Sequence, residues 1–157
     1  MGRGKTNAMR ILDAAGLSYK TMDYSTKDGL NDGISVAEKV GRDSEEVFKT
    51  LVTQGHSKQY YVYVVPVDRE LNLKKAASAA GEKKVEMIPM KILHQVTGYI
   101  KGGCSPIGMK KQFPTFIDQS ADGHKTILVS AGQIGKQIEI KPADLSHITA
   151  GAYAELT

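Results

Sequence analysis

Phe48-Lys49-Thr50-Leu51-Val52 sets a single ammonium in an otherwise apolar, β-prone run. Period-2 alternation puts Lys49, Leu51 and Thr53 on one face and Phe48, Thr50 and Val52 on the other, so Lys49 either snorkels to solvent or points into a pocket. In a pocket it would be a fixed cation, able to hold a phosphate or the oxygen of an ester on which negative charge develops. A second segment, Gly102-Gly103-Cys104-Ser105-Pro106-Ile107-Gly108, packs three glycines and a proline into seven residues. It is either a tight connector or bare backbone whose N–H groups approach a phosphate or an oxyanion, stiffened by Pro106. A third, Ser130-Ala131-Gly132-Gln133-Ile134-Gly135, follows the strand expected over Thr126 to Val129 and offers a hydroxyl and further backbone donors to the same pocket.

Other chemistries find little support. Cys104 is the only cysteine, which excludes an intramolecular disulfide and a multi-cysteine zinc or iron–sulfur site. A thiolate nucleophile needs a neighbouring base or cation, and no His or Asp stands at a suggestive spacing, so Cys104 reads as a small apolar filler. His56, His94, His124 and His147 are scattered without metal-ligand spacing. No metal and no cofactor is expected. Tyr60, Tyr61 and Tyr63 read as ordinary strand residues in preference to a base-stacking platform.

These residues need elements to hold them. Thr6 caps a helix with Ala8, Met9, Ile11, Leu12 and Ala15 at helical spacing, stopped by Gly16. Leu17 to Tyr24 reads as a strand and residues 27–33 as a loop. Ser35-Val36-Ala37-Glu38 fits a capping box for a short helix ending at Gly41, and Asp43 or Ser44 caps a turn over Glu45 and Glu46. Phe48 to Gln54 and Gln59 to Val65 form a hairpin closed by Pro66. Leu73 to Ala80 is a helix with Gly81 after it, Lys84 to Met87 a short strand, and Pro89 to Val96 a helix. Thr115 to Asp118, Thr126 to Ser130 and Gln137 to Ile140 are strands, and Pro142 starts a last helix. Irregular interspersion with a hairpin predicts a mixed α/β fold: a mixed, partly barrel-like β-sheet surrounded by short helices.

The chain has 157 residues, 41% apolar and 24% charged, with 5 Pro and 16 Gly, which reads as one soluble domain over 1–157. Its net charge of +4 permits contact with polyanions without a strongly basic coat. Between Arg69 and Lys91, basic residues outnumber acidic ones, either as a solvated lysine face or as a phosphate-contacting patch. No 18-residue apolar run and no signal peptide is evident, and Met1-Gly2 with Thr6 matches the myristoylation pattern only by chance, so a cytoplasmic protein without membrane contact is expected.

The order Phe48-Lys49-Thr50-Leu51-Val52, Gly102-Gly103-Cys104-Ser105-Pro106-Ile107-Gly108 and Val129-Ser130-Ala131-Gly132 resembles the YbaK/EbsC family of aminoacyl-tRNA deacylases. Leu73-Lys74-Lys75-Ala76, Lys83 to Met87 and Thr97-Gly98-Tyr99 extend the resemblance over about residues 5 to 155. It implies the YbaK/aminoacyl-tRNA synthetase-associated domain fold and a free-standing relative of the prolyl-tRNA synthetase editing domain. The implied substrate is mischarged Cys-tRNA(Pro), and Cys-tRNA(Cys) beside it. By position, Lys49 is the implied catalytic residue, and Tyr24, Thr50, Gly102, Gly103, Ser105, Pro106, Ser130 and Gly132 are implied substrate-binding residues. The implied partners are the aminoacylated 3′ end of tRNA and prolyl-tRNA synthetase. Such relatives are thought to use no protein nucleophile: the substrate thiol attacks its own carbonyl and leaves as a cyclic thioester. Two alternatives remain, a deacylase for another small amino acid such as alanine on tRNA(Pro), and a non-catalytic module binding a tRNA 3′ end or a synthetase.

Overall fold

The structure, a computed structural model, describes residues 4–157; the Met1-Gly2 pattern lies outside them. Helix α1 (Asn7–Ala14) is capped by Thr6, whose hydroxyl accepts from Met9 N–H, and buries Ala8, Met9 and Leu12. Strand β1 (Lys20–Asp23) is shorter than the expected Leu17 to Tyr24. Leu17 N–H still bonds the Leu12 carbonyl at 3.0 Å, so the chain is tied to the end of α1 until the sheet takes it over. Helix α2 (Gly33–Val40) starts before the expected capping box. Its cap is Asp32, whose carboxylate accepts from both the N–H (3.1 Å) and the hydroxyl (2.7 Å) of Ser35; an anion at the helix N-terminus displaces a hydroxyl three residues further in.

A 3₁₀ turn (Ser44–Glu46) delivers β2 (Phe48–Gly55), which forms the expected hairpin with β3 (Tyr60–Pro66). Then come α3 (Leu73–Ala80), β4 (Val85–Met87), α4 (Met90–Thr97), β5 (Thr115–Asp118), β6 (Ile127–Ser130), β7 (Lys136–Ile140), α5 (Pro142–Thr149) and β8 (Ala152–Ala154). The five-stranded sheet runs β4-β2-β3-β5-β8, with β3, β5 and β8 parallel; the three-stranded sheet is β1-β7-β6, all antiparallel. One parallel bridge, Val47 to Leu128, joins them. The barrel character is confined to that junction, and neither sheet closes on itself among the described residues.

The main core lies between the sheets, where Phe48, Val64 and Ile117 meet Ile127, Val129, Ile138 and Ile140, closed by α1 and by Leu145 of α5. The opposite face of the large sheet packs Tyr61, Tyr63 and Val65 against Ala76 and Ala77 of α3. Helix α2 sets Ala37 on Val47, Val67 and Leu128, while α4 brings Leu93 and Val96 onto Val52, Val62 and Phe113. The two helices thus flank the junction between the sheets without filling it.

Candidate active site

Strand β4 covers β2 only at Thr53, Gln54 and Gly55, and the ladder ends one bond later, Ile88 N–H to Val52 C=O at 3.2 Å. The Val67 N–H donates to Val47 C=O and the Gly55 N–H to Gln59 C=O, both at 2.8 Å. Odd-numbered residues of β2 therefore bond β3, and even-numbered ones turn their backbone groups outward. At Thr50 that outward edge has no strand beside it. The gap opens into a cavity of about 460 Å³ whose walls come from β2, the loop 29–33, α4, the glycine segment at Lys101, Gly102 and Cys104, and Ser130 and Gln137.

Because the cavity meets β2 edge-on, residues of both faces border it: Lys49 from the α3 side and Thr50 from the inter-sheet side. The Lys49 ammonium lies 3.2 Å from a Glu70 carboxylate oxygen, but the Glu70 side chain is 91% exposed, so the pair is a weak surface contact. The Thr50 hydroxyl is buried without a partner, and so is the side-chain oxygen of Gln137, a residue only 6% exposed. Orphaned buried acceptors of this kind are uncommon and mark places where a ligand can supply the missing bond.

Of the other residues singled out in the sequence, Gly102 (φ +85°) and Ser130 line the cavity. The Ser130 hydroxyl accepts from Gly132 N–H at 3.1 Å. Tyr24, Gly103, Ser105, Pro106 and Gly132 lie outside the lining. Gly103 brings its segment against the 133–134 backbone, since a Cβ there would stand 3.0 Å from Ile134 N. The fully buried Ser105 hydroxyl accepts from Ile107 N–H at 3.2 Å, and Pro106 is buried beside it. Gly132 (φ +96°) admits the Tyr99 ring, whose Cε1 would be 2.7 Å from a Cβ. Tyr24, buried just before the 25–31 loop, has its hydroxyl unpartnered.

That loop is pinned by one side chain. The Lys39 ammonium donates to the Ser25 carbonyl (2.8 Å), the Asp28 carboxylate (2.7 Å) and the Leu30 carbonyl (2.7 Å), and lies 5.9 Å from the Tyr24 ring centre. Lys39 also holds the Asp28 carboxyl below the usual carboxylate range. The carboxylate in the cavity lining, Asp32, is lowered by the Ser35 hydroxyl and N–H it accepts, and is committed to capping α2. Burial pushes the Cys104 thiol up to about 12, so it stays protonated and is no nucleophile at neutral pH. Among the described residues no three His, Cys, Asp or Glu side chains gather as metal ligands.

Sequence reasoning missed Gln137 and the Met87, Met90 and Leu93 wall. Gln137 carried one usable signal: it faces Ser130 across the β6–β7 register.

A family model described as the aminoacyl-tRNA editing domain matches residues 32–148. The chain belongs to the aminoacyl-tRNA editing domain family. An Enterococcus faecalis protein provisionally named Cys-tRNA(Pro)/Cys-tRNA(Cys) deacylase EbsC is 47% identical to this editing domain over 153 residues, covering 98% of this chain and 93% of its own. Two crystal structures share the fold: the hypothetical protein APE2540 (TM-score 0.88, 21% identity, 96% of this chain and 99% of that one) and a candidate trans-editing enzyme for prolyl tRNA synthetase (TM-score 0.84, 21% identity, 96% and 94%). The stretch matched by the family model contains every cavity-lining residue except Gly29, Leu30 and Asn31.

Proposed function

We propose that the protein is a trans-acting aminoacyl-tRNA deacylase, one domain over 1–157, that cleaves Cys-tRNA(Pro), and Cys-tRNA(Cys) beside it. The observation that carries this reading is a cavity with a cation and orphaned acceptors but no nucleophile of its own. Its thiol is held protonated and its carboxylate is spent on a helix cap. Family membership and the 47% identity to the Enterococcus relative supply the substrate class.

In this mechanism the cysteinyl thiol is the attacking group. Its sulfur bonds the ester carbonyl carbon, the carbonyl-to-ribose C–O bond breaks, and the 3′-oxygen leaves with the thiol proton. A cyclic thioester departs and water opens it. Lys49 holds the ester oxygen as negative charge grows on it, a form of stabilisation worth roughly 10²–10³ in rate for one donor. The outward Thr50 N–H and the Gly102 backbone add donors, Thr50 and Gln137 accept from the substrate's amino group, and Ser130 lines the floor. Tyr24, Gly103, Ser105, Pro106 and Gly132 hold the loops that shape the pocket.

Among the described residues no helix is long and apolar enough to cross a membrane. We place the protein in the cytoplasm with its substrate. Prolyl-tRNA synthetase is the proposed partner that contributes tRNA choice, since a net charge of +4 leaves intrinsic RNA affinity modest.

The test is a deacylation panel of Cys-, Ala-, Ser- and Pro-tRNA(Pro). Cys-tRNA(Pro) is expected to be cleaved and Ser-tRNA(Pro) to survive, with Lys49→Ala losing roughly 100-fold or more. Equal hydrolysis of the cysteinyl and seryl esters would replace the thiol by water as nucleophile. Full activity of Lys49→Ala would remove Lys49 from the mechanism.

A further inference from the structure

Residues 87–117 contain four lysines (Lys91, Lys101, Lys110, Lys111), one histidine and no Asp or Glu. Outside that stretch the chain carries 17 basic and 17 acidic residues, so its whole excess of +4 resides here. The stretch comprises α4, the glycine segment and the start of β5, and it furnishes the cavity wall from Met87 to Cys104.

The four lysines are all exposed, and none pairs with an acid among the described residues. The Lys110 ammonium donates to the Gln95 carbonyl at 3.3 Å, which sets Lys110 against the C-terminal turn of α4, the helix that carries Lys91 in its first turn. Lys111 follows, 6.0 Å from the Phe113 ring centre. Lys101 stands on the cavity lip. The nearby acids are engaged: Asp32 by Ser35, Glu86 by Lys84 at 2.9 Å. Among the lysines lie apolar side chains open to solvent: Met87 (46% exposed), Met90 (56%) and Ile100 (54%).

Lysines without counter-ions fit phosphates, and exposed apolar side chains between them fit the faces of unstacked bases. On the reading that the substrate is an aminoacyl-tRNA, we infer that this acid-free surface is the RNA track. Lys91, Lys110 and Lys111 hold the backbone of the acceptor end. The unpaired 3′ nucleotides cross Met90 and Ile100 and enter the cavity past Lys101. Strands β6 and β7 present Lys125 and Lys141 at the end away from Ser130 and Gln137, where no RNA is expected.

The test is fluorescence anisotropy with a non-aminoacylated RNA hairpin ending in an unpaired CCA, titrated at several KCl concentrations. Each backbone contact contributes about 0.7 to the slope of log affinity against log salt, so Lys91→Gln/Lys110→Gln/Lys111→Gln is expected to flatten that slope by about 2. Over a fourfold change in salt, that removes roughly twentyfold of the salt sensitivity. Lys20→Gln/Lys125→Gln/Lys141→Gln should leave the slope unchanged. Turnover of 3′-cysteinyl-adenosine, which lacks the RNA body, should be the same in both triple variants as in the unaltered protein. If the first triple variant melts early, the single variants Lys91→Gln and Lys111→Gln carry the test, each expected to flatten the slope by about 0.7.

An unchanged slope in the first variant, or an equal loss in both triples, overturns the track. The former would leave these lysines to an acidic protein surface. A protein that binds the hairpin through these lysines but is inert on every cysteinyl ester refutes the deacylase reading alone.

Discussion

Gln137→Leu separates a binding role from a packing role, because the two predict opposite changes in stability. The Gln137 side chain is 6% exposed and its oxygen is buried with no hydrogen-bond partner, so the unliganded fold bears the desolvation of an unsatisfied acceptor. Such a group costs about 1–3 kcal/mol, and a leucine of similar volume removes that cost while still covering Ser130 and Met22 from β7. For a chain of this length, each kcal/mol moves Tm by about 2–4 °C, which gives an expected rise of roughly 2–12 °C. If the same oxygen accepts a bond from the substrate, its loss costs about 1–3 kcal/mol in the transition-state complex and lowers kcat/KM on Cys-tRNA(Pro) by roughly 5- to 150-fold. Differential scanning calorimetry gives the first number and single-turnover deacylation the second. A lower Tm with unchanged kcat/KM would refute the reasoning, because Gln137 would then be satisfied in the free protein and idle in the reaction.

Cys104→Ala is expected to keep near-normal deacylation, and iodoacetamide at neutral pH to leave the native protein active; loss of activity in either experiment would restore the thiol as a nucleophile. Alkali should unfold the protein. Burial raises Cys104 from 9.0, and Tyr63 and Tyr99 from 10.0, each to about 12. A raised pKa in the fold means its stabilisation is complete below the unfolded value and is lost as pH rises toward the folded one, so the expected loss spans about pH 9 to 12 in urea melts. In Cys104→Ala the onset should move to about pH 10, where the tyrosines begin. Gly132→Ala combines a φ of +96° with a Cβ placed 2.7 Å from Tyr99 Cε1 and should cost about 1–3 kcal/mol, seen as a lower Tm; an unchanged Tm would mean that the 130–135 turn relaxes freely.

Where local signals and tertiary structure agree, the sequence was legible. Asn72 and Gly81 bracket α3, whose expected bounds are the observed ones, because an Asx cap and a left-handed glycine act within a few residues. The β2–β3 hairpin followed from alternation and the turn at 55–58. Competition between neighbours was harder to read. Asp32 and Ser35 could each cap α2, and the carboxylate prevailed by taking both donors of Ser35. Strand β8, three residues including two alanines, owes its existence to parallel pairing with β5, a contact no local pattern encodes. Within the cavity, Lys49 and the glycine segment stood out as anomalies. Gln137 did not, because alternation in Lys-Gln-Ile-Glu-Ile reads as an ordinary solvated face, whereas in the fold Gln137 is buried at the cavity wall.

The truncation of β4 has a genetic consequence. Continued in register, β4 would bring residue 90 opposite Thr50, but Met90 is instead the first residue of α4, reached through Pro89. The Thr50 main chain therefore faces the cavity beside its hydroxyl, and main chain is common to all side chains. Alanine scanning will pass over this contact, whereas lengthening the β4–α4 connection by even one or two residues would let the sheet zip shut across it. For this backbone contact, unlike the Thr50 hydroxyl beside it, tolerance to point substitution and intolerance to insertion should thus coincide.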